Sequence, residues 1–189
     1  MMRKVTVIKG GNSSEREVSL ATGSQCASAL DSKGYQVTEI DARYDLLDHL
    51  KNNRPDIVFN ALHGRWGEDG TVQGLFEWLS LPYTHSGVLA SALAMDKKKS
   101  KEIFKHEGLP VSEGFIMEAK QLELKHPINP PYVIKPNNEG SSVGVLIISE
   151  EKLDILRSSL SQLPEFVLVE PFVRGKELTV TVMDNRALT

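Results

Sequence analysis

The first forty residues restrict the fold more than any other stretch. Residues 5–8 (VTVI) form a short, β-branched run stopped by Gly10 and Gly11. Such a run suits a strand buried on both faces of a parallel sheet. A polar loop follows, in which Ser14 and Glu17 fit a capping box, so a helix is expected to start near Glu15. Val18, Ala21, Thr22, Gln25, Cys26, Ala29 and Leu30 then keep helical spacing until Gly34. Residues 36–40 read as a second strand. Strand, glycine loop, helix and strand make a βαβ unit with a right-handed crossover, which sets the class as α/β.

The pattern continues. Residues 45–53 read as a short helix with Leu46, Leu47 and Leu50 on one face, and residues 57–59 as a third buried strand. That strand runs into a loop holding His63, Gly64, Gly67, Glu68, Asp69 and Gly70, with Asp69 as the expected N-cap of a helix over residues 71–79. A brief strand over 81–84 and a helix over 88–94, rich in small residues and suited to close packing, complete this part. The composition changes abruptly at Asp96, where DKKKSK begins, and a domain boundary is expected there, giving residues 1–95 and 96–189. Asp96 should cap a helix over 97–107, with Ile103 and Phe104 inward and Gly108 closing it.

The second part is strand-rich. Residues 115–117 read as a strand and 120–131 as irregular. Residues 132–134 lead into Lys135 and Pro136, a polar loop over 137–142, and a strand over 143–148. A helix is expected over 150–161 with Leu153, Leu156 and Leu160 on one face, then strands over 166–169 and 177–182, and a hairpin turn at Asp184 and Asn185. A return strand that has barely begun leaves an unpaired edge, so the chain reads as a fragment or as one that completes its sheet with a partner.

Function classes narrow next. A formal net charge of −3 gives no basic face for a nucleic acid. No apolar run reaches the ~18 residues of a membrane span, and the run before Gly10 is too short for a signal-peptide core. The single cysteine, Cys26, excludes an internal disulfide and reads as a buried structural thiol. The loop after Lys135 has two readings. Backbone N–H groups of Gly140, Ser141 and Ser142 beside a lysine can hold phosphate oxygens, and the same residues can simply turn a hairpin. Glu15 is either an acid stabilised by the helix dipole or a ligand contact in the crevice at a strand's C-terminal end. His63 is either a structural loop histidine or a substrate contact. No second His or Cys stands at zinc spacing. The lysine run from Lys97 is either a solvated helix face or the source of a phosphate contact.

Five motifs decide between these readings: GGNSSEREVS (10–19), HGRWGEDGTVQG (63–74), MDKKKSK (95–101), VIKPNNEGSSVGV (133–145) and VEPFVRGKELTV (169–180). In this order they resemble the D-alanine–D-alanine ligases of the ATP-grasp superfamily. The resemblance implies a parallel-sheet N-terminal domain followed by an incomplete α+β ATP-grasp domain. It implies ATP-dependent joining of two D-alanines through an acyl phosphate for peptidoglycan synthesis, in the cytoplasm, by a homodimer. Carried over by position, Glu15, His63 and Ser141 would hold the first D-alanine, with Glu15 and Ser141 as the catalytic pair. Lys97, Lys135 and Ser142 would meet the phosphates, Glu170 C=O and Val173 N–H the adenine across Pro171, and Glu177 the ribose. The Mg2+ ligands are implied beyond Thr189, none within this chain, so these residues alone are expected to be inactive. A D-alanine–D-lactate-type ligase and a non-catalytic nucleotide- or amino-acid-binding module are the alternatives.

Overall fold

The computed structural model describes residues 2–43, 45–123, 125–149 and 158–188. Its first part is a parallel sheet of β1 (Lys4–Lys9), β2 (Gln36–Asp41) and β3 (Ile57–Asn60) in the order β2-β1-β3. Val5 pairs with Val37 on one side and Ile57 on the other. The 81–84 stretch adds one parallel bridge, Tyr83 to Val58, at the β3 edge.

Alternation along β1 divides the core. Val5 and Val7 pack with Ala27 and Ala61 beneath α1 (Arg16–Ser32). Ile8 points to the opposite side, among Leu46 and Leu50 of α2 (Leu46–Asn52) and Val72 and Phe76 of α3 (Thr71–Trp78). Helices cover both faces, as a parallel sheet requires. Leu47 is exposed and does not join the α2 stripe.

The inward stripe of α1 differs from the expected one. Ser19, Gly23 and Ala27 are buried, whereas Val18, Ala21, Gln25 and Ala29 are exposed. The helix lies too close to β1 for large side chains: a Cβ on Gly23 would stand 2.4 Å from Lys9 Cβ. Ser19 replaces apolar packing with two bonds, accepting from Gly10 N–H at 2.8 Å and donating to Ala61 O at 2.7 Å. Cys26 is half-buried, not fully buried. The capping box does not form either: Glu15 occupies the N-cap position with no side-chain cap bond. At α3 the N-cap is Gly70, while Asp69 accepts from Thr71 N–H and Trp66 N–H from one residue further back.

The chain then enters α4 (Val88–Met95), breaks at Asp96, and enters α5 (Lys97–His106), where Asp96 accepts from Lys99 N–H as expected. Close packing of α4 is found on one side, where a Cβ on Gly70 would stand 2.7 Å from Val88 O and 3.4 Å from Ala92 Cβ, but the rest of the helix is open. Ser91 is its buried residue, and Leu89 is 72% exposed. Ile103 and Phe104 are also exposed, because α5 turns Lys97 and Lys101 toward the second sheet instead.

That sheet has four strands in the order β4-β7-β5-β6, all antiparallel: β4 (Phe115–Glu118), β5 (Tyr132–Pro136), β6 (Leu146–Ile148) and β7 (Phe166–Pro171). Tyr132, Ile134, Ile148, Val167 and Val169 face its core with Ala119 and Leu122. By alternation, Val133, Lys135, Leu168 and Glu170 face the other way, onto a cleft. β6 starts later than the strand expected over 143–148, since turns link Gly140 O to Val143 N–H and Ser142 O to Val145 N–H. Most of the helix expected over 150–161 lies outside the described residues; Leu160–Gln162 is a short 3-10 turn. The strand expected over 177–182 is reduced to β8 (Val182–Met183), paired with β9 (Arg186–Ala187). Residues 176–181 have no neighbouring ladder among the described residues, and a strand does not persist without one. Asp184 and Asn185 both take positive φ (49° and 61°), as the expected hairpin turn needs.

Candidate active site

The end of β1 makes the first half of the site. Gly10 and Gly11 both have positive φ and turn the chain from β1 toward α1. Arg16, the first residue of α1, grips Asp41 at the end of β2 with two nitrogens at 2.8 and 2.6 Å, and donates to Gly11 O at 2.8 Å. Hydrogen bonds from Arg16 hold the Asp41 carboxyl at about 2, against burial and with help from Gly11 N–H. This brace fixes where α1 begins, and therefore where Glu15 stands.

Glu15 is 4% exposed. Its Oε2 accepts from Ser141 Oγ, a residue 126 positions away on the β5–β6 loop. Its Oε1 is buried without a hydrogen-bond partner. Two glycines leave room around that oxygen: an added Cβ would stand 2.6 Å from it at Gly64, where φ is +68°, and 3.0 Å at Gly140. The loop is held by further bonds. Ser14 Oγ approaches Glu139 Oε2 at 3.5 Å, and Lys97 Nζ donates to the carbonyls of Asn137 and Glu139.

His63 precedes Gly64. Its carbonyl accepts from Ser13 Oγ at 2.8 Å, its Nε2 meets Thr22 Oγ1 at 3.2 Å, and its Nδ1 lies 3.9 Å from Glu68 Oε1. It lines two cavities, of about 520 and 410 Å³, outside the cleft that holds Ser141. Among the described residues, no bond joins its ring to Glu15 or Ser141.

The second half of the site is a cleft of about 420 Å³ over the second sheet. Lys97, Lys135, Ser141, Ser142, Glu170, Val173 and Glu177 all line it. So every residue implied for the nucleotide meets in one cavity, and Ser141 joins that cavity to Glu15. Ser141 and Ser142 have φ of +46° and +60°. Such backbone is strained for residues with a Cβ and typical of functional loops. Burial and the neighbouring charge of Lys135 push the Lys97 amine down. Burial works to raise the Glu170 carboxyl, but hydrogen bonds from Lys101 and Lys135 outweigh it and hold the group below its usual range.

Two contributors escaped the sequence reading. The Glu170 side chain, not only its carbonyl, lies in the cleft and pairs with Lys135. Lys101 joins it at 2.8 Å. The signal was the spacing: Lys97 and Lys101 are i, i+4 on one helix face, while Lys98 and Lys99 pair with Glu102 in solvent.

A parallel α/β unit bearing a buried carboxylate is joined through a serine loop to a lysine-lined cleft on an antiparallel sheet, which makes one two-part site. Comparison with known proteins gives the family. Sequence models described as "D-ala D-ala ligase N-terminus" and "D-ala D-ala ligase C-terminus" match residues 46–86 and 103–189. The D-alanine–D-alanine ligase of Ruegeria sp. (strain TM1040) is 56% identical over 185 residues, covering 98% of this chain and 60% of the relative. The crystal structure of the D-alanine–D-alanine ligase from Bacillus anthracis superposes with a TM-score of 0.79 at 34% identity, over 100% of this chain and 63% of that one. Its complex with ATP gives 0.76 at 31% identity, over 98% and 64%. The chain belongs to the D-alanine–D-alanine ligase family, and it spans about 60% of the length of the curated relatives it matches.

Proposed function

We propose that this chain carries the first amino-acid subsite and most of the nucleotide cleft of an ATP-dependent ligase that joins two D-alanines into D-alanyl-D-alanine for peptidoglycan. The observation that carries the reading is Glu15 Oε1, buried and without a partner while Oε2 is held by Ser141. A buried carboxylate oxygen left unpaired is costly. A substrate ammonium supplies both the donor and the opposite charge that this oxygen lacks. Gly64 and Gly140 keep the approach to it open, and the reading assigns His63, the residue before Gly64, to the border of the subsite although its ring bonds Thr22.

The carboxylate of this first D-alanine attacks the γ-phosphorus of ATP, and ADP leaves. The resulting acyl phosphate is attacked at its carbonyl by the amine of the second D-alanine, which loses a proton, and phosphate leaves. Phosphoryl transfer asks the protein for positioning and charge neutralisation. Lys97 and Lys135 supply two cations in the cleft, Ser142 and the loop N–H groups cover the transferred phosphate, Glu170 C=O and Val173 N–H read the adenine, and Glu177 takes the ribose. Mg2+ is the metal of this reading. Among the described residues no group of three or more His, Cys, Asp or Glu could hold it. A homodimer, a cytoplasmic location and a domain boundary at Asp96 complete the proposal. No helix among the described residues is long and apolar enough to cross a membrane.

Calorimetric titration tests the reading. The protein is expected to bind ATP, and Glu15→Gln is expected to weaken D-alanine binding at least tenfold (~1.4 kcal/mol or more) with ATP affinity unchanged. For residues 1–189 alone, binding and not turnover is the expected readout. Equal D-alanine affinity in Glu15→Gln overturns the assignment.

A further inference from the structure

Three lysines surround one carboxylate in the cleft, and they are not equivalent. Glu170 is the last but one residue of β7, on its cleft face, diagonal to Lys135 across the β5–β7 ladder, where Lys135 pairs with Leu168 and Val133 with Glu170. Lys135 Nζ donates to Glu170 Oε1, and among the described residues that is its one bond. Lys97 Nζ is spent on two loop carbonyls. Lys101 reaches Glu170 Oε2 at 2.8 Å, Ser112 O at 2.8 Å and Ser112 Oγ at 2.8 Å, so all three of its donors are used. Ser112 Oγ also lies 3.1 Å from Glu170 Oε2. Lys101 does not line the cleft, although Lys135 and Glu170 do.

We propose that Lys101 is a positioning residue that acts through Glu170 on Lys135, clamping Oε2 from behind so that Oε1 holds the Lys135 ammonium in the cleft without neutralising it. The charges explain why two lysines are needed. Glu170 with Lys135 alone is a neutral pair, and an anionic ligand would have to break it. With Lys101 in place the trio carries a net positive charge, and Lys135 keeps two donors for an anion while still bonded to Glu170. The consequence for ATP rests on the function proposed above; the clamp itself does not.

Two measurements separate them. In ligand-free protein, the carboxyl carbon of Glu170, followed by 13C NMR, should titrate at higher pH in Lys101→Met than in the unaltered protein. Two lysines, Lys101 from α5 and Lys135 from β5, pair with this carboxyl, and Ser112 is its other side-chain partner. In ATP titrations, Lys101→Met should weaken binding at least tenfold, but less than twofold when added to Lys135→Met. If Lys101→Met folds poorly, the double variant Lys101→Met/Glu170→Gln, which leaves no unbalanced carboxylate, should bind ATP within threefold of Glu170→Gln. The solvent-facing control Lys98→Ala should leave both readouts unchanged. An unmoved Glu170 titration, or the same loss in both Lys135 backgrounds, overturns the clamp. A shifted titration in a protein that binds no ATP keeps the clamp and overturns the proposed function.

Discussion

The two buried carboxylates among the described residues solve opposite problems. Glu15 has one oxygen bonded to Ser141 and one with no partner. Glu170, 8% exposed, has both oxygens bonded, with two lysines and a serine around them. The first stands at the start of a helix beside a glycine-rich loop, and the second at the end of a strand under a helix. On the function proposed above, the half-satisfied carboxylate receives a substrate ammonium. A saturated one holds other groups in place. Removing them should therefore cost in different currencies: ligand affinity for Glu15, stability for Glu170.

Glu170→Ala should show the largest effect on stability. It leaves Lys101 and Lys135 as poorly exposed cations without their counter-charge, and a loss of ~3 kcal/mol is expected in urea unfolding. Glu15→Gln should change stability by less than ~1 kcal/mol, since the amide can still accept from Ser141 and the unpaired charge is removed. Equal losses in the two variants would break the comparison.

Gly64→Ala sharpens it from the Glu15 side. The new Cβ would crowd Oε1 at a positive φ. We expect ~1–2 kcal/mol of destabilisation from the backbone, together with weaker D-alanine binding. A change in stability with unaltered binding would show that Glu15 relaxes freely and that the two glycines do not shape the subsite.

The smallest effect concerns the brace behind Glu15. The Asp41 carboxyl lies at about 2 in the folded chain, below its ordinary value of 3.8. A carboxyl depressed by folding contributes stability that is complete above its ordinary value and disappears as pH falls through the folded one. Arg16→Met should therefore remove stability near neutral pH and flatten the pH dependence between about 4 and 2. Because Asp41 is partly exposed, the change in thermal midpoint should be modest. An acid-unfolding profile identical to that of the unaltered protein would remove Asp41 from the account.

Much of the fold was legible in the sequence. Short apolar strands stopped by glycines, separated by helical spacing, gave the parallel unit, and the loop after Lys135 was correctly read as joining two antiparallel strands. Errors fell where packing partners decide. On α1, spacing selected Val18 and Ala29, but the approach of β1 selected Ser19, Gly23 and Ala27. On α5, apolarity pointed Ile103 and Phe104 inward, yet the charge of Glu170 drew Lys97's neighbour Lys101 toward the sheet. The residues of the site were named from motifs. Their grouping in one cleft, and the bond from Ser141 to Glu15, needed the folded chain.

The sequence by itself determined which elements form and which side chains carry chemistry, because helical and strand periodicity, turn residues and motif order are local. The tertiary structure alone decided which oxygen of which carboxylate is free. That depends on donors brought from 126 positions away to Glu15, and from 69 and 35 positions away to Glu170. Local preference carries no record of such partners; only packing brings them into range of a hydrogen bond.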